Sequence, residues 1–304
     1  SFPTRRSSDL SNTFIAKFDT DGNLLWAKTT TQPDFTEFKT INCDANNNLF
    51  ISGNFNGTFD IDFNASVQNI SPIGTMDVIV AKYDPNGNLL WNFHQGFPGS
   101  NLNISVSKVD NNGSIISFGS GSNQFDFDPG PGVDSVYLVG NYSTLGFKID
   151  QSGNLEWVTE LINLTFTTNQ LCIAPDNSFM IVGNNSDYLI GDHLHPDTLA
   201  YTSGSQIVLI KYNSNGEVML TKEINTEVTD YQNVLMAVKM TTMNNEGNIA
   251  VLILANVGID LDPGSGLVAK KYLTNPSLGS YQSLVCYDNL GNYLWDITDK
   301  LEIN

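Results

Sequence analysis

Cysteine is scarce in this chain. Its three residues, Cys43, Cys172 and Cys286, are odd in number and far apart in 304 positions. That excludes a disulfide framework read from spacing, and no Cys-x-x-Cys pattern signals zinc. The three read as small core residues on strands. Basic residues are also few, with 14 Lys and Arg against 32 Asp and Glu and a formal net charge of −18. A chain this acidic repels nucleic acid and anionic membrane surfaces, so neither is an expected partner. No run of about 18 apolar residues exists, which excludes membrane insertion by a helix. The Gly-x-Ser-x-Gly elbow of acyl-transfer enzymes is missing, and so is the phosphate-binding Gly-x-x-x-x-Gly-Lys loop. Stretches with a 3.6-residue period are few.

What is present is repetition. The segment Ala81-Lys82-Tyr83-Asp84-Pro85-Asn86-Gly87-Asn88-Leu89-Leu90-Trp91 comes round five times, with copies starting at Lys17, Lys82, Lys148, Lys211 and Cys286. The turn acids are Asp19, Asp84, Asp150 and Asp288, with Asn213 in copy four, and the turn glycines are Gly22, Gly87, Gly153, Gly216 and Gly291. Four residues after each glycine stands Trp26, Trp91, Trp157, Leu220 or Trp295, and these are all four tryptophans of the chain. Alternating apolar and β-branched residues precede each turn, so each copy predicts a β-hairpin. The glycine is expected at positive φ and the Asp as an acceptor of turn amides. Each indole N–H needs a partner once its ring is buried.

A second hairpin is expected between successive copies, with turns at Asp44-Ala45-Asn46-Asn47, Asp110-Asn111-Asn112-Gly113, Pro175-Asp176-Asn177 and Asn244-Asn245-Glu246-Gly247. Two hairpins per repeat make four antiparallel strands, the blade of a β-propeller. Runs such as Val251-Leu252-Ile253-Leu254 do not alternate with polar residues. Stacked blades cover both faces of a strand and account for them. The fold class expected is therefore all-β: a propeller of about four complete four-stranded blades (residues 39–91, 104–157, 170–220 and 235–296) plus a leading half blade at 13–28. Apolar residues at 40% and aromatics at 11% supply one core, giving a single domain over residues 11–304. Residues 1–10 read as the translation of a short-read sequencing adapter, are set aside as disordered, and imply that the native N-terminus is missing. Leu301-Glu302-Ile303-Asn304 reads as the start of another inner strand. With an outer hairpin at each end, the expectation is an open arc of a larger propeller.

Between the second and third strands of a blade lies an acidic loop. It carries Asp60 and Asp62 in the first blade, Asp126 and Asp128 in the second, and Asp260 and Asp262 in the fourth. Alternate residues of a strand point the same way, so each pair could converge on calcium. Calcium needs about 6–8 oxygens, and the competing reading is a loop whose Asp side chains bind its own amides. The third blade departs with His193, His195 and Asp197, part of a zinc-hydrolase pattern whose last His is Thr198 here. Asp19-Thr20-Asp21-Gly22-Asn23 is like the opening of a calcium loop, but its second acid becomes Asn86, Ser152, Asn215 and Leu290 in the other copies.

The combination of K-[FY]-D-x-x-G-N-x-x-W with D-x-D-P-G-x-G resembles the SBBP-type β-propeller repeat of secreted bacterial proteins, over nearly all of the chain after residue 12. The resemblance implies extracellular or cell-surface residence, a bacterial source and export by a type IX route, with a scaffold or adhesion role toward an extracellular protein or glycan. It supplies no catalytic residue and no cofactor. The expectation is a non-enzymatic binding scaffold. The alternatives are a propeller hydrolase or lyase acting on polysaccharide, and a calcium-stabilised extracellular module. Where the acids lie discriminates them: carboxylates on the outer rim weaken the enzyme reading, whereas acids about 5–10 Å apart around a central cleft strengthen it.

Overall fold

One short turn reverses the chain nine times among the described residues. Its outer copies start at Asp19, Asp84, Asp150, Asn213 and Asp288, its inner copies at Asp44, Asp110, Ala174 and Asn244. The first residue's amide donates to the fifth residue's carbonyl and the fourth's amide to the first's carbonyl, as in Asp84 N to Asn88 O (2.9 Å) and Gly87 N to Asp84 O (2.9 Å). This is a type I turn followed by a left-handed residue, the geometry of a three-residue hairpin loop. The left-handed residue is glycine in the five outer turns and at Gly113 and Gly247. The other two inner turns use Asn47 (φ 61°) and Asn177 (φ 62°). Asparagine tolerates this region better than most side chains. All four inner turns thus share the outer geometry, two of them without its glycine.

The acid at the head of the turn closes it. Asp84 Oδ1 accepts the amides of Asn86 and Asn88, each at 2.8 Å, and Oδ2 accepts Asn88 Nδ2 at 2.7 Å. Copy four keeps the turn with the polarity reversed. Asn213 Oδ1 accepts the Asn215 and Glu217 amides, while its Nδ2 donates to Glu217 Oε2 at 2.6 Å. At Asp84, Asp150 and Asp288, burial alone would raise the carboxyl. The hydrogen bonds from the amide and side chain of the asparagine four residues on outweigh it and hold each below its ordinary 3.8. A carboxyl depressed in the folded state stabilises fully above its unfolded value and loses that contribution as pH falls through the folded one. Thermal melts in a pH series are therefore expected to show stability declining from about pH 4 downward. Replacing these three acids together with asparagine should flatten the decline, and an acid limb unchanged in that variant would contradict the assignment.

The computed structural model describes residues 14–29, 36–64, 66–122, 124–126, 135–137, 143–162, 167–185, 191–192, 206–226, 236–256, 258–262, 269–270 and 281–300. The adapter-like residues 1–10 and residues 301–304 lie outside these. All regular elements among them are strands, and no helix is long and apolar enough to cross a membrane. A leading hairpin comes first, β1 (Phe14–Phe18) and β2 (Leu24–Thr29). Then come β3 (Thr36–Cys43), β4 (Leu49–Phe55), a ribbon of β5 (Phe59–Asp60) and β6 (Asn69–Ile70), β7 (Asp77–Tyr83) and β8 (Leu89–Gln95). The second unit has β9 (Asn101–Val109), β10 (Ile115–Ser122), the ribbon β11 (Gln124–Asp126) and β12 (Ser135–Tyr137), β13 (Ser143–Ile149) and β14 (Leu155–Ile162). The third has β15 (Thr167–Ile173), β16 (Phe179–Asn185), β17 (Gly191–Asp192), β18 (Gln206–Tyr212) and β19 (Val218–Thr226). The last has β20 (Met236–Met243), β21 (Ile249–Ala255), the ribbon β22 (Ile259–Asp260) and β23 (Ala269–Lys270), β24 (Tyr281–Tyr287) and β25 (Tyr293–Lys300).

Four antiparallel meanders result, β3-β4-β7-β8, β9-β10-β13-β14, β15-β16-β18-β19 and β20-β21-β24-β25. Among the described residues the leading hairpin pairs only with itself. The sheets stack face on face. Phe50, Val78 and Val80 of the first meet Ile104, Leu145 and Phe147 of the second. Ile116 and Phe118 of the second meet Phe179, Ile181 and Val208 of the third. Met180, Val182 and Leu209 of the third meet Ile249, Val251 and Val285 of the fourth. Ile15 and Trp26 of the leading hairpin cover Ile51, Ile79 and Tyr83. Neighbours such as Met180 and Ile181 thus face opposite sheets, as the pleat requires, and both sides are apolar. This is the physical origin of the unbroken apolar runs, each buried side chain contributing about 1.5–3 kcal/mol. The first strands of successive sheets lie together, β3 on β9, β9 on β15 and β15 on β20.

Candidate functional site

The repeat's own residues build the joints between sheets. Strand register sets the first lysine of each copy opposite the tryptophan position, Lys17 with Trp26, Lys82 with Trp91, Lys148 with Trp157 and Lys211 with Leu220. Opposed residues share a face, and that face looks at the next copy's turn. Trp91 Nε1 donates to Gln151 O at 3.0 Å, and Trp157 Nε1 to Ser214 O at 3.2 Å. Lysines reach the same atom of the turn: Lys17 Nζ to Pro85 O at 2.8 Å, Lys82 Nζ to Gln151 O at 3.3 Å and Lys211 Nζ to Asn289 O at 2.8 Å. Every acceptor is the residue after the turn's Asp or Asn. The indole also lies against the turn glycine. A Cβ on Gly216 would stand 2.7 Å from the Trp157 ring. Glycine is needed there for space as well as for its φ of +80°.

Two copies depart. Trp26 keeps a buried indole N–H with no hydrogen-bond partner among the described residues, while Lys17 alone reaches Pro85 O. Lys148 turns inward to Asp110 Oδ2 (3.0 Å) and Glu156 Oε2 (2.9 Å). Burial alone would lower its ammonium pKa; the bonds to Glu156 and Asp110 win and raise it. Lys82 makes a longer version of this pair, 3.4 Å to Asp44.

The acidic loops lie at the opposite end of each sheet from the turns, as a meander requires. Phe59 and Ile61 point inward, 1% and 0% exposed, and the aspartates alternate with them. Asp60 Oδ1 accepts the amides of Asp62 (3.0 Å) and Gln68 (2.8 Å), and Asp62 accepts Asn64 N (3.0 Å) and the Ser66 hydroxyl. The last sheet repeats this with Asp262 N on Asp260 Oδ1 at 3.1 Å. Buried tyrosines hold both loops from beneath, Tyr83 on Ile61 O and Tyr287 on Leu261 O. The donors present fit a self-bonded loop better than a calcium cage. Among the described residues no three His, Cys, Asp or Glu groups gather where a metal ion would need them. Asp128, His193, His195 and Asp197 lie outside the described residues, as does the side chain of Asp126.

Two of the four loops also clasp neighbouring sheets, which spacing did not foretell. β22 pairs with β19, Asp260 opposite Asn225, and β17 pairs with β14, Asp192 opposite Leu161. Each of these two therefore extends the last strand of the preceding sheet, whereas β5-β6 and β11-β12 pair only within themselves among the described residues. That places Asp260 beside β19, at the edge of its sheet away from β15 and the other first strands, on the outer side.

The surface along the first strands is different. A groove of about 300 Å³ runs between β9, β15 and β20, lined by Lys108, Gln170, Cys172, Thr241 and Thr242 among others, with no carboxylate. Burial pushes the Cys172 thiol up, against the Thr241 hydroxyl at 3.0 Å and the charge of Lys108.

No family model matches the chain. It is 25% identical, over 269 residues, to an uncharacterized WD repeat-containing protein, L264, of Acanthamoeba polyphaga mimivirus. The similarity takes in 74% of this chain and 19% of that protein, so the chain spans about a fifth of its relative's length. That similarity and the stacked four-stranded sheets agree on a propeller-like β-repeat architecture.

Proposed function

We propose that this chain is a non-enzymatic propeller scaffold of the SBBP type, resident outside the cell or on its surface, that binds a protein or glycan. Its four sheets are blades, and the leading hairpin is the outer half of another. One observation carries the reading: the repeat's Asp, Lys and Trp side chains are taken up in closing turns and fastening sheets. The self-bonded Asp60 and Asp62 and the outward place of Asp260 count against paired acids working on polysaccharide. The groove beside Lys108 is the seat assigned to the ligand. The similarity to a WD repeat-containing protein supports an interaction role.

The test immobilises the 304-residue chain and passes glycans and extracellular-matrix proteins over it by biolayer interferometry, with a reducing-end assay on the same polysaccharides. Retention without new reducing ends supports the scaffold, and retention weakened in Lys108→Ala supports the groove. Release of reducing ends contradicts both the scaffold and its non-enzymatic character. Antibody labelling of intact source cells tests the location; labelling only after permeabilisation counts against it. A melting temperature that falls on adding chelator would favour the calcium-stabilised module instead.

A further inference from the structure

The first strands share a recurring position. Asn42, Lys108, Cys172 and Thr242 stand opposite Phe50, Ile116, Met180 and Ala250, each the same number of residues past the bulge in its strand. In two of the strands this side chain reaches across to the next first strand. Asn42 Nδ2 donates to Ser107 O at 3.1 Å, and Cys172 meets the Thr241 hydroxyl at 3.0 Å. Lys108 makes no such contact. The ion pairs among the described residues belong to Lys39, Lys82 and Lys148. The bonds from lysine to turn carbonyls belong to Lys17, Lys82 and Lys211. Lys108 is in neither set and is exposed. Its sheet has a neighbouring sheet on each side, so this exposure owes nothing to where the array starts or stops.

The groove between β9, β15 and β20 surrounds that ammonium with neutral polar groups. Among the described residues the side chains of Gln170 and Thr242 make no hydrogen bond, and the Thr241 hydroxyl has capacity left beyond Cys172. The apolar residues of the wall are committed elsewhere. Val109, Ile173 and Met243 pack on three different sheet cores, and Leu171 is 2% exposed. No described residue that lines the groove is acidic, and Asp110, two residues beyond Lys108, is held by Lys148 at 3.0 Å.

We infer that the groove takes a sugar chain bearing anionic groups, uronate or sulfate ester, with an anion on Lys108. The inference rests on the groove being the ligand seat proposed above, and it names the class of ligand. An unpaired cation in a groove without carboxylates is a local exception on a chain of net charge −18, and a bound anion answers it. Sugar hydroxyls both donate and accept, as the Gln170 amide and the threonine hydroxyls do. A peptide would want apolar pockets for its side chains, and the apolar wall residues here are turned into the cores. An ammonium is a point charge without the fork that selects a planar carboxylate, so it serves either anion. No aromatic residue among those described lines the groove, so charge carries a large share of the affinity and salt weakens it.

Biolayer interferometry on the immobilised 304-residue chain tests this with matched pairs: polygalacturonate against its methyl ester, and dextran sulfate against dextran. At least one acidic polymer is expected to bind about tenfold or more tighter than its neutral counterpart, and to be released in about 1 M salt, where the screening length is about 3 Å. Which of the two binds tells carboxylate from sulfate. Lys108→Ala should lose about tenfold and Lys108→Arg should retain binding. Lys39→Ala removes the same charge from β3, outside the groove, and should change little. Circular dichroism melts confirm that the variants fold. Equal binding of acidic and neutral polymers overturns the inference, and so does acidic binding undiminished in Lys108→Ala. Failure of all four polymers also overturns it, and the scaffold reading then still stands if a matrix protein or another glycan is retained.

Discussion

Phe179→Ala is expected to lower the unfolding free energy by about 3–5 kcal/mol, the usual cost of emptying a large aromatic site in a core. Phe179 is 0% exposed. It stacks on Tyr212 within its own sheet (4.8 Å, 7° between planes) and on Trp157 of the preceding sheet (5.7 Å, 5°), with Phe118 at 5.9 Å. The substitution therefore removes burial and three ring contacts, and it opens the joint between two sheets rather than a pocket inside one. Leu290→Ala, at a residue 58% exposed, is the matched control and should stay within about 0.5 kcal/mol of wild type. Chemical denaturation of the two variants side by side decides it. A Phe179→Ala loss no larger than that of the control would mean that the aromatic stack carries no stability.

The second large effect is electrostatic. Lys148→Met is expected to cost about 3–5 kcal/mol, because it leaves a carboxylate buried without its counter-ion. The Asp110 side chain is 0% exposed and Lys148's 5%, whereas the third member, Glu156, is 37% exposed and can turn to water. Lys148→Met combined with Asp110→Asn should recover most of the loss, since the buried charge goes while the turn can still be capped through Oδ1, which accepts the Asn112 and Ser114 amides. Equal destabilisation in the single and double variants would show that the cost came from lost packing of the lysine stem. The pair is also the reason copy three lacks the lysine-to-turn bond of copies one, two and four.

Much of this architecture could be read from residue order alone. A glycine at φ near +80°, a turn acid and a tryptophan at fixed spacing are side-chain requirements, and side chains are what a sequence records. The apolar runs on both strand faces likewise announced stacked sheets. What escaped were interactions whose other half is backbone. The indoles of Trp91 and Trp157 and the ammonium of Lys211 all end on carbonyls of Gln151, Ser214 and Asn289, three different residue types that share only a place in the turn. The pairing of Asp260 with Asn225 and of Asp192 with Leu161 is equally blind to residue type. The inner turns at Ala174 and Asn244 hid their kinship with the outer ones because asparagine replaced glycine at Asn177 and no acid stands at their head. The groove beside Lys108 is assembled from three strands about 65 residues apart in the chain, and no local pattern marks it.

The central claim is that a tryptophan of one sheet, lying on the bare turn glycine of the next, joins the sheets. A double-mutant cycle on Trp157 and Gly216 tests it most directly. Gly216→Asn keeps a residue that tolerates the left-handed turn but drives its Cβ into the indole. It is expected to cost about 1–3 kcal/mol in the wild-type background, as overpacking does, and close to nothing once Trp157 is alanine. A coupling of about 1 kcal/mol or more would establish the joint. Additive losses would contradict it, and the repeated tryptophans would then need another explanation.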